Sequence, residues 1–328
     1  MSVGTPVITG VCRPAEAHAR SWSKAASEGM GLYADDMPFR SPILLSRRAG
    51  EHIDANRLEQ AEFWARLAVF AAPDSDSLWF DLGLVYKHQG RWSPAQQANR
   101  AATALNPENL GAWWNLGIAA TARSDWSEAR RAWTGCGIDV PEGPGEPEMD
   151  LGLTPIRLNP RDRAEVVWTV RLDPARARIV SVPFPQSEHR YGDVVLHDGS
   201  PAGSRFLRGR EVLVFDALAL LMVSPYSTFH AIVRTALNDE LADLDEIAGQ
   251  HDVEAQNWTA KTRVISRAES EGLASRFIRA DSTGDVELGI AARSEEEART
   301  FVAAWAERGA LREVLDVHLG LAGTQARA

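Results

Sequence analysis

The sequence predicts a multidomain protein with an all-α array of helical hairpins, then a β-rich small barrel or sheet, then an α+β region. Three observations support this fold class. A repeat of about 34 residues runs through the first half of the chain. Proline and glycine cluster between Gly135 and Pro160, and such clusters mark boundaries between periodic segments. Beyond that cluster, apolar residues recur with a period of about two, which is typical of strands.

Composition argues against several classes of protein. The 328 residues are 45% hydrophobic and 24% charged, which is typical of globular domains. The longest nearly apolar run, 212–223, contains Asp216 and is too short to span a membrane. Net charge is −10, and neither half is basic, so nucleic acid is not an expected partner. The N-terminus has no basic stretch before its apolar residues, so we expect a cytoplasmic protein.

The repeat is visible when the chain is aligned with itself at a shift of one repeat length. Six identities fall in one frame: Trp79/Trp113, Leu82/Leu116, Gly83/Gly117, Trp92/Trp126, Ala95/Ala129 and Pro107/Pro141. This pattern of aromatic residues, small residues and a closing proline resembles the tetratricopeptide repeat (TPR) over residues 42–141. Two copies are clear. A degenerate copy precedes them, in which Ala61, Ala68 and Pro73 fit the second helix.

The resemblance implies how each unit folds. Each repeat is a pair of antiparallel helices, in which Gly83 and Ala95 allow close approach and Pro107 ends the second helix. Because one hairpin cannot bury its own apolar face, about three stacked units are needed. We therefore expect TPR repeats over 42–141, preceded by an N-terminal extension at 1–41.

Two aromatic residues stand outside the repeat framework. Five tryptophans occupy framework positions and are expected in the core, whereas Phe80 and Trp114 share the position that lines the concave groove in this family. The resemblance therefore implies a groove that binds a protein or peptide partner through aromatic anchors. The predicted partner-binding residues are Phe80, Leu84, Lys87, Trp114, Asn115 and Ile118.

A second interpretation of the groove stays open. In it, the C-terminal half folds back and covers Phe80 and Trp114, so that the groove is an intramolecular interface. Some members of the family bind a C-terminal carboxylate through a clamp of polar side chains. Asn115 matches one member of that clamp, but three other groove positions are apolar where the clamp is polar. An adaptor for chaperone tails is therefore not expected.

The second half is predicted to contain a linker at 142–160, a β-rich domain at 161–225 and an α+β domain at 226–320. In the β-rich domain, short strands are separated by turn signals such as Asp198-Gly199. Their near-regular spacing predicts a small barrel or a curled antiparallel sheet. The predicted strands are Val166–Leu172, Arg178–Phe184, Asp193–His197 and Glu211–Phe215.

The last domain alternates between strand and helix patterns. Strands are predicted at Thr228–Leu237, Trp258–Ile265, Val286–Ala292 and Leu311–Leu319. Helices are predicted at Asp239–Ala248 and, after a capping box formed by Ser294 and Glu297, up to Gly309. The resulting order, β-α-β-β-α-β, is that of a ferredoxin-like sandwich.

Chemistry-bearing motifs are missing from the sequence. It has no standard motif for nucleotides, metals or nucleophilic catalysis, and its eight histidines and two cysteines are scattered. We therefore expect no cofactor and no metal. The weak catalytic candidates are His197 and Asp198, where an imidazole and a carboxylate meet at a strand end. The same two residues also fit a plain strand-to-turn transition.

These observations predict a non-enzymatic scaffold or adaptor that binds a protein or peptide partner, with neither nucleic acid nor membrane as partners. The alternative is an enzyme or small-ligand sensor whose site lies near His197 and Asp198, with the repeats recruiting a partner. Exposure of Phe80 and Trp114 on a concave face favours the first function. A pocket converging on His197 favours the second.

Overall fold

The computed structural model describes residues 41–207, 210–236, 240–259 and 284–324. Its contacts divide the chain into two compact units, Met1–Met149 and Asp150–Ala328. Within the described ranges, every helix is too short or too polar to cross a membrane. The expected N-terminal extension lies outside the described residues, apart from Ser41.

The first unit contains six helices in the described part of the chain: α1 (Pro42–Asp54), α2 (Leu58–Ala71), α3 (Asp76–His88), α4 (Trp92–Leu105), α5 (Leu110–Ala122) and α6 (Trp126–Gly135). Consecutive helices pack as three hairpins, α1 with α2, α3 with α4 and α5 with α6. First helices begin at positions 42, 76 and 110, and second helices at 58, 92 and 126, so one spacing holds throughout. The predicted array of helical hairpins is therefore confirmed, and the helices α1 and α2 form its first hairpin.

Small residues bring the two helices of a hairpin together. A Cβ atom added at Gly117 would lie 2.5 Å from the ring of Trp133, so the α5 backbone packs directly on that indole. In the preceding repeat Asn99 replaces the tryptophan and packs against Gly83. Its Nδ2 donates to the Ala95 carbonyl at 2.8 Å, whereas its Oδ1 is buried without a hydrogen-bond partner among the described residues.

A recurring hydrogen bond fixes the passage from one repeat to the next. The Trp79 indole Nε1 donates to the Pro73 carbonyl, and the Trp113 indole Nε1 donates to the Pro107 carbonyl, each at 2.8 Å. The framework tryptophan of one repeat thus bonds the proline that closes the previous repeat. Caps on α5 by Asn109 and on α6 by Asp125 satisfy free N–H groups at the helix starts.

The second unit begins with five strands that close into a barrel: β1 (Leu153–Leu158), β2 (Glu165–Arg171), β3 (Arg176–Ile179), β4 (Val194–Leu207) and β5 (Arg210–Met222). Neighbouring strands are antiparallel, and the barrel closes where β1 runs parallel to β5 at Ile156/Phe215 and Arg157/Asp216. The barrel interior is apolar and consists of Ile156, Leu158, Val167, Ala177, Ile179, Val195 and Phe215.

Strand β1 lies inside the segment 142–160 that was expected to be a linker. Pro155 and the proline- and glycine-rich residues before it conceal the strand pattern in the sequence. The structure accepts this proline because β1 has a full partner only in β2 and meets β5 at two residue pairs.

The prediction of a turn at Asp198-Gly199 is wrong. These residues lie within β4, where the register against β5 shifts between His197 and Pro201 and again before Gly203. Gly203 has a φ of 146°, which a residue with a side chain rarely adopts. Glycine, proline and aspartate occur both in turns and at irregular positions within strands, so the sequence alone does not distinguish the two.

After the barrel, the described part of the second unit contains a four-stranded antiparallel sheet and two α-helices: β6 (Ser227–Thr235), α7 (Leu244–Gln250), β7 (Glu254–Asn257), β8 (Gly284–Ala292), α8 (Glu295–Glu307) and β9 (Glu313–Leu321). The strands lie in the order β7-β8-β6-β9. Residues Phe229, Ala231 and Val233 of β6 pack with Phe301 and Trp305 of α8 in the core.

Two predicted elements differ from the observed ones. The second strand of the last domain was predicted at Trp258–Ile265, but the observed strand β7 ends at Asn257. Residues 260–265 of the predicted strand lie outside the described residues. The Trp258 indole packs on the backbone at Gly289, and its Nε1 donates to the Val182 carbonyl at 3.1 Å. Trp258 thus connects the sheet to the loop after the barrel strand β3. Helix α7 begins at Leu244, later than the predicted start at Asp239.

Candidate functional site

The six predicted groove residues lie on the first helices of the two clear repeats. Phe80, Leu84 and Lys87 belong to α3, and the other three belong to α5. Each of the six is at most 6% exposed. A free concave groove was expected to expose Phe80 and Trp114. Both side chains are instead buried.

Contacts within and between the hairpins hold the two aromatic groove residues in place. Phe80 packs with Ala102 and Ala112, and its ring would lie 3.1 Å from a Cβ added at Gly111. The Trp114 ring meets Trp133 edge to face, with ring centroids 5.2 Å apart. Each aromatic anchor is thus wedged against the second helix of its own repeat.

A hydrogen bond between side chains joins the two groove helices. The Lys87 Nζ on α3 donates to the Asn115 Oδ1 on α5 at 3.1 Å. Both side chains are buried, so the ammonium group lies in surroundings where a hydrogen bond to it is worth more than at the surface. The structure therefore brings these two predicted residues together as a pair.

Four buried polar atoms on the same two helices have no hydrogen-bond partner among the described residues. They are Asp81 Oδ1, Trp114 Nε1, Asn115 Nδ2 and Thr121 Oγ1, and we call them the groove atoms. An unmet buried polar atom costs about 1–3 kcal/mol, so such atoms are rare in finished protein cores. The set contains donors and acceptors, as does the backbone of an extended peptide.

Sequence reasoning missed Asp81. Its Oδ2 accepts a hydrogen bond from the Ser46 hydroxyl of α1 at 2.5 Å, and its side chain is buried. Burial raises the pKa of this carboxyl to about 7, although the bond from Ser46 opposes the shift. The signal was available, because Asp81 is a charged residue in a first helix that is otherwise apolar from 78 to 86.

The weak catalytic candidates lie in the barrel. His197 is fully buried, and its Nδ1 lies 2.8 Å from the carbonyl oxygen of Asp198. Burial, and secondarily the nearby Arg171 guanidinium, lowers the pKa of His197 to about 3. The imidazole is therefore neutral at physiological pH. The Asp198 carboxylate accepts from its neighbour Gly199 N at 2.7 Å and thus belongs to the strand irregularity.

Two carboxylates in the barrel are each paired with an arginine. Asp216 accepts from Arg157 Nε at 2.6 Å and from a second guanidinium nitrogen at 2.9 Å. Asp173 accepts from Arg176 Nε at 2.6 Å. His197 and Asp198 meet through a backbone oxygen rather than as an imidazole–carboxylate pair. Across the described ranges, no three side chains of the types that bind metals come together.

The type of repeat follows from the spacing of the hairpins and from the contacts that the motif residues make. Equivalent helices recur at one constant spacing, and the aromatic, small and proline residues of the motif make the contacts between them. The helical unit is built from TPR-type repeats. The aromatic side chains of this TPR array are framework residues at Trp79, Trp113 and Trp133, and groove residues at Phe80 and Trp114.

Comparisons with known proteins give matches to solved structures. No family model and no curated protein matches the chain. MamA is 17% identical over 30% of this chain, with a TM-score of 0.29, and the match spans 57% of MamA, a little over half its length. The second TPR domain of Spaghetti bound to an HSP90 peptide is 16% identical over 30% of this chain and 91% of its own, with a TM-score of 0.29.

A plant structure gives a similar result. The Arabidopsis OM64 TPR domain is 11% identical over 30% of this chain and 83% of its own length, with a TM-score of 0.29. These matches cover less than a third of this chain.

Proposed function

We propose that the TPR array is a non-enzymatic scaffold that binds an extended peptide segment of a partner protein along α3 and α5. The observation that carries this proposal is the set of four groove atoms, which lie on the same two helices as the aromatic anchors Phe80 and Trp114. A bound peptide backbone offers the donors and acceptors that these atoms lack.

The chemistry of each groove atom fits a peptide. Trp114 Nε1 and Asn115 Nδ2 donate to peptide carbonyl groups. Asp81 Oδ1 accepts from a peptide N–H, and the Thr121 hydroxyl can do either. The rings of Phe80 and Trp114 supply the apolar contact area that gives most of the affinity in such grooves.

Burial of the groove residues has a kinetic consequence. Because each of the six is at most 6% exposed, a peptide enters only after the side chains or the chain around them move. Binding that needs a conformational change has a lower association rate than binding to an open surface. We therefore expect slow association and, once the groove atoms are paired, slow dissociation.

A catalytic role for His197 is not part of this proposal. Its ring is fully buried and neutral, and the carboxylate of Asp198 is bound to Gly199 instead of to the imidazole. A general base works best with a pKa near the operating pH, and the pKa of about 3 is far below it.

The proposed binding mode is tested by removing groove atoms without removing the groove. Dodecapeptides are selected from a random display library on the full-length protein, and the tightest is measured against Trp114→Phe and Thr121→Val. Each variant has an apolar side chain at its position and lacks one hydrogen-bonding atom of the wild type. We therefore expect about fivefold to tenfold weaker binding, the value of one hydrogen bond.

The control for this experiment is Thr169→Val in the barrel. The Thr169 hydroxyl donates to the Thr154 carbonyl at 2.7 Å, so this variant loses a satisfied hydrogen bond far from α3 and α5 in sequence. Peptide affinity should be unchanged in it. Unchanged affinity in both groove variants, or failure to select any peptide, contradicts the proposal.

For the rest of the chain we propose a finer description of fold and boundaries. Residues 227–321 form a ferredoxin-like sandwich, supported by the order β6-α7-β7-β8-α8-β9 and the sheet order β7-β8-β6-β9. The β-rich domain extends from Leu153 to Met222, because β1 belongs to its barrel. A cytoplasmic location, with neither nucleic acid nor membrane as partner, is supported by the net charge of −10 and the absence of a basic region in the sequence.

A further inference from the structure

A cleft of about 620 Å³ lies on a different part of the TPR array, between the second helices of the two clear repeats. Its lining comes from α4, from α6 and from the first turn of α5, including Arg100, Trp113, Glu128 and Arg131. We call it the outer cleft. The groove atoms lie on the first helices α3 and α5, so the two sites differ.

Two arginines in the outer cleft share one carboxylate. Glu128 Oε1 accepts from Arg100 Nε at 2.9 Å and from a terminal nitrogen of Arg131 at 2.7 Å. Glu128 Oε2 accepts from Arg131 Nε at 2.8 Å. Both guanidinium groups, and Arg131 most, hold the pKa of Glu128 below its usual range. The three side chains therefore carry a net charge of +1.

An aromatic ring holds one of the guanidinium groups in position. The Arg131 Cζ lies 4.9 Å from the centroid of the Trp113 ring, so the guanidinium is fixed by both the indole and Glu128. The Trp113 ring is fixed in turn by the bond from its Nε1 to the Pro107 carbonyl. The cationic groups are therefore preorganised before any ligand arrives.

The two arginines of this cluster keep donors that Glu128 does not use. Among the described residues, both terminal nitrogens of Arg100 and one of Arg131 have no hydrogen-bond partner. The two side chains are 53% and 48% exposed, whereas Glu128 is 12% exposed. The carboxylate is thus largely covered whereas both guanidinium-bearing side chains are about half exposed, so the cluster can accept a second carboxylate.

The preceding pair of repeats lacks this arrangement. One repeat earlier, Arg100 corresponds to Arg66 and Trp113 to Trp79, but Glu128 corresponds to Pro94 and Arg131 to Gln97. The TPR framework therefore does not require the charged cluster. It is a property of one cleft in a chain that is otherwise acidic, with a net charge of −10.

We propose that the outer cleft binds an acidic linear peptide. One Asp or Glu carboxylate of the peptide accepts from the free N–H groups of Arg100 and Arg131, and an adjacent apolar side chain packs against the Trp113 ring. The net charge of +1 matches one carboxylate, whereas a phosphate group would bring excess negative charge beside Glu128. The acidic remainder of the protein repels acidic chains elsewhere and so restricts them to this cleft.

The test uses the full-length protein and a fluorescein-labelled octapeptide of Glu, Asp and Leu, followed by anisotropy at low ionic strength. Arg100→Gln and Arg131→Gln each remove one guanidinium from an exposed position, so the fold is retained and is checked by thermal melting. We expect each to weaken binding about fivefold to tenfold, and binding to weaken as salt is raised.

The matched control is Arg66→Gln, which changes the equivalent arginine of the preceding repeat and should leave the affinity unchanged. The same peptide with Gln and Asn in place of Glu and Asp should bind at least about tenfold more weakly, because it lacks the charge that the cluster receives. Equal losses in Arg66→Gln and Arg131→Gln, or equal affinity of the neutral peptide, overturn the proposal.

Two further measurements test which ligand the outer cleft binds and where the peptide binds. If inorganic phosphate displaces the peptide at lower concentration than acetate does, the cleft is a phosphate site, and the assignment to a carboxylate is wrong. The groove variant Thr121→Val should bind the acidic octapeptide as the wild type does. Loss of binding in that variant places the peptide on α3 and α5 and contradicts the outer cleft.

Discussion

The barrel and the TPR array treat buried polar groups differently. In the barrel, buried Arg157 and Arg176 are each paired with a carboxylate, and the Thr169 hydroxyl bonds a neighbouring strand. Exceptions there are the Nε2 of His197 and the Nε of Arg171. Along α3 and α5, by contrast, four polar atoms are buried without a partner among the described residues. Paired groups stabilise a fold, whereas unpaired ones keep hydrogen-bonding capacity for something that binds.

The largest effect expected from this comparison is in the barrel. Asp173→Ala leaves Arg176 buried without its carboxylate and removes the acceptor for two backbone N–H groups. Loss of one partner of a buried ion pair costs about 3–5 kcal/mol, and urea unfolding of the full chain should show that loss in the second unit. As a control, Arg234→Ala breaks exposed ion pairs and should not shift the transition measurably.

A smaller effect is expected at Asp81, and it depends on pH. The pKa of Asp81 is about 7 in the folded protein and close to its usual value of 3.8 when unfolded, so folding takes up a proton between these pH values. The contribution of this carboxyl to the stability of the TPR array should therefore be largest below about pH 4, fall as pH rises to about 7, and level off above that.

Asp81→Asn removes this titration and sharpens the comparison. At pH 8 the variant should be more stable than the wild type by about 2–4 kcal/mol, since each unit of pKa shift corresponds to about 1.4 kcal/mol. Near pH 4 the two should be similar. Chemical unfolding of both proteins from pH 4 to 8 measures the difference, and parallel profiles across that range refute the assignment.

The smallest effects come from single hydroxyl groups. Thr121→Val replaces an unpartnered buried hydroxyl with a methyl group and should stabilise the TPR array by about 1 kcal/mol. Thr169→Val removes a satisfied hydroxyl from the barrel and should destabilise it by about 1 kcal/mol. The melting temperatures of the two variants should therefore shift in opposite directions from that of the wild type. Shifts of the same sign would contradict the proposed difference between the two regions.

Much of the TPR array was predictable because its signal is periodic. The helices begin in a strict repeating frame, and Gly117 with Trp133 shows why the motif demands a small residue opposite a large one. The barrel was harder, since Pro155 hides β1 and the irregularity after His197 resembles a turn. Local residue types do not distinguish a bent strand from a turn, because the difference lies in the partner strand.

The candidate sites were predictable only in part. The position of Phe80 and Trp114 in the repeat indicated the helices that carry the groove, but not that all six groove residues are buried. The outer cleft depends on Arg100 and Glu128, which are distant in sequence and meet only when two hairpins stack. A sequence pattern gives the face on which a residue lies, and the contact across repeats comes from the fold.

The bonds from Trp79 to Pro73 and from Trp113 to Pro107 bear on how such a chain changes length during evolution. Each bond joins two neighbouring repeats and uses no residue from a third repeat. Removal of 76–109 would join Ser75 to Leu110 and bring Trp113 to the distance along the chain from Pro73 that Trp79 now has. Gain or loss of a whole unit therefore preserves the tryptophan-to-proline bond between neighbouring repeats, so the array can lengthen or shorten in steps of one repeat with this bond retained at each junction.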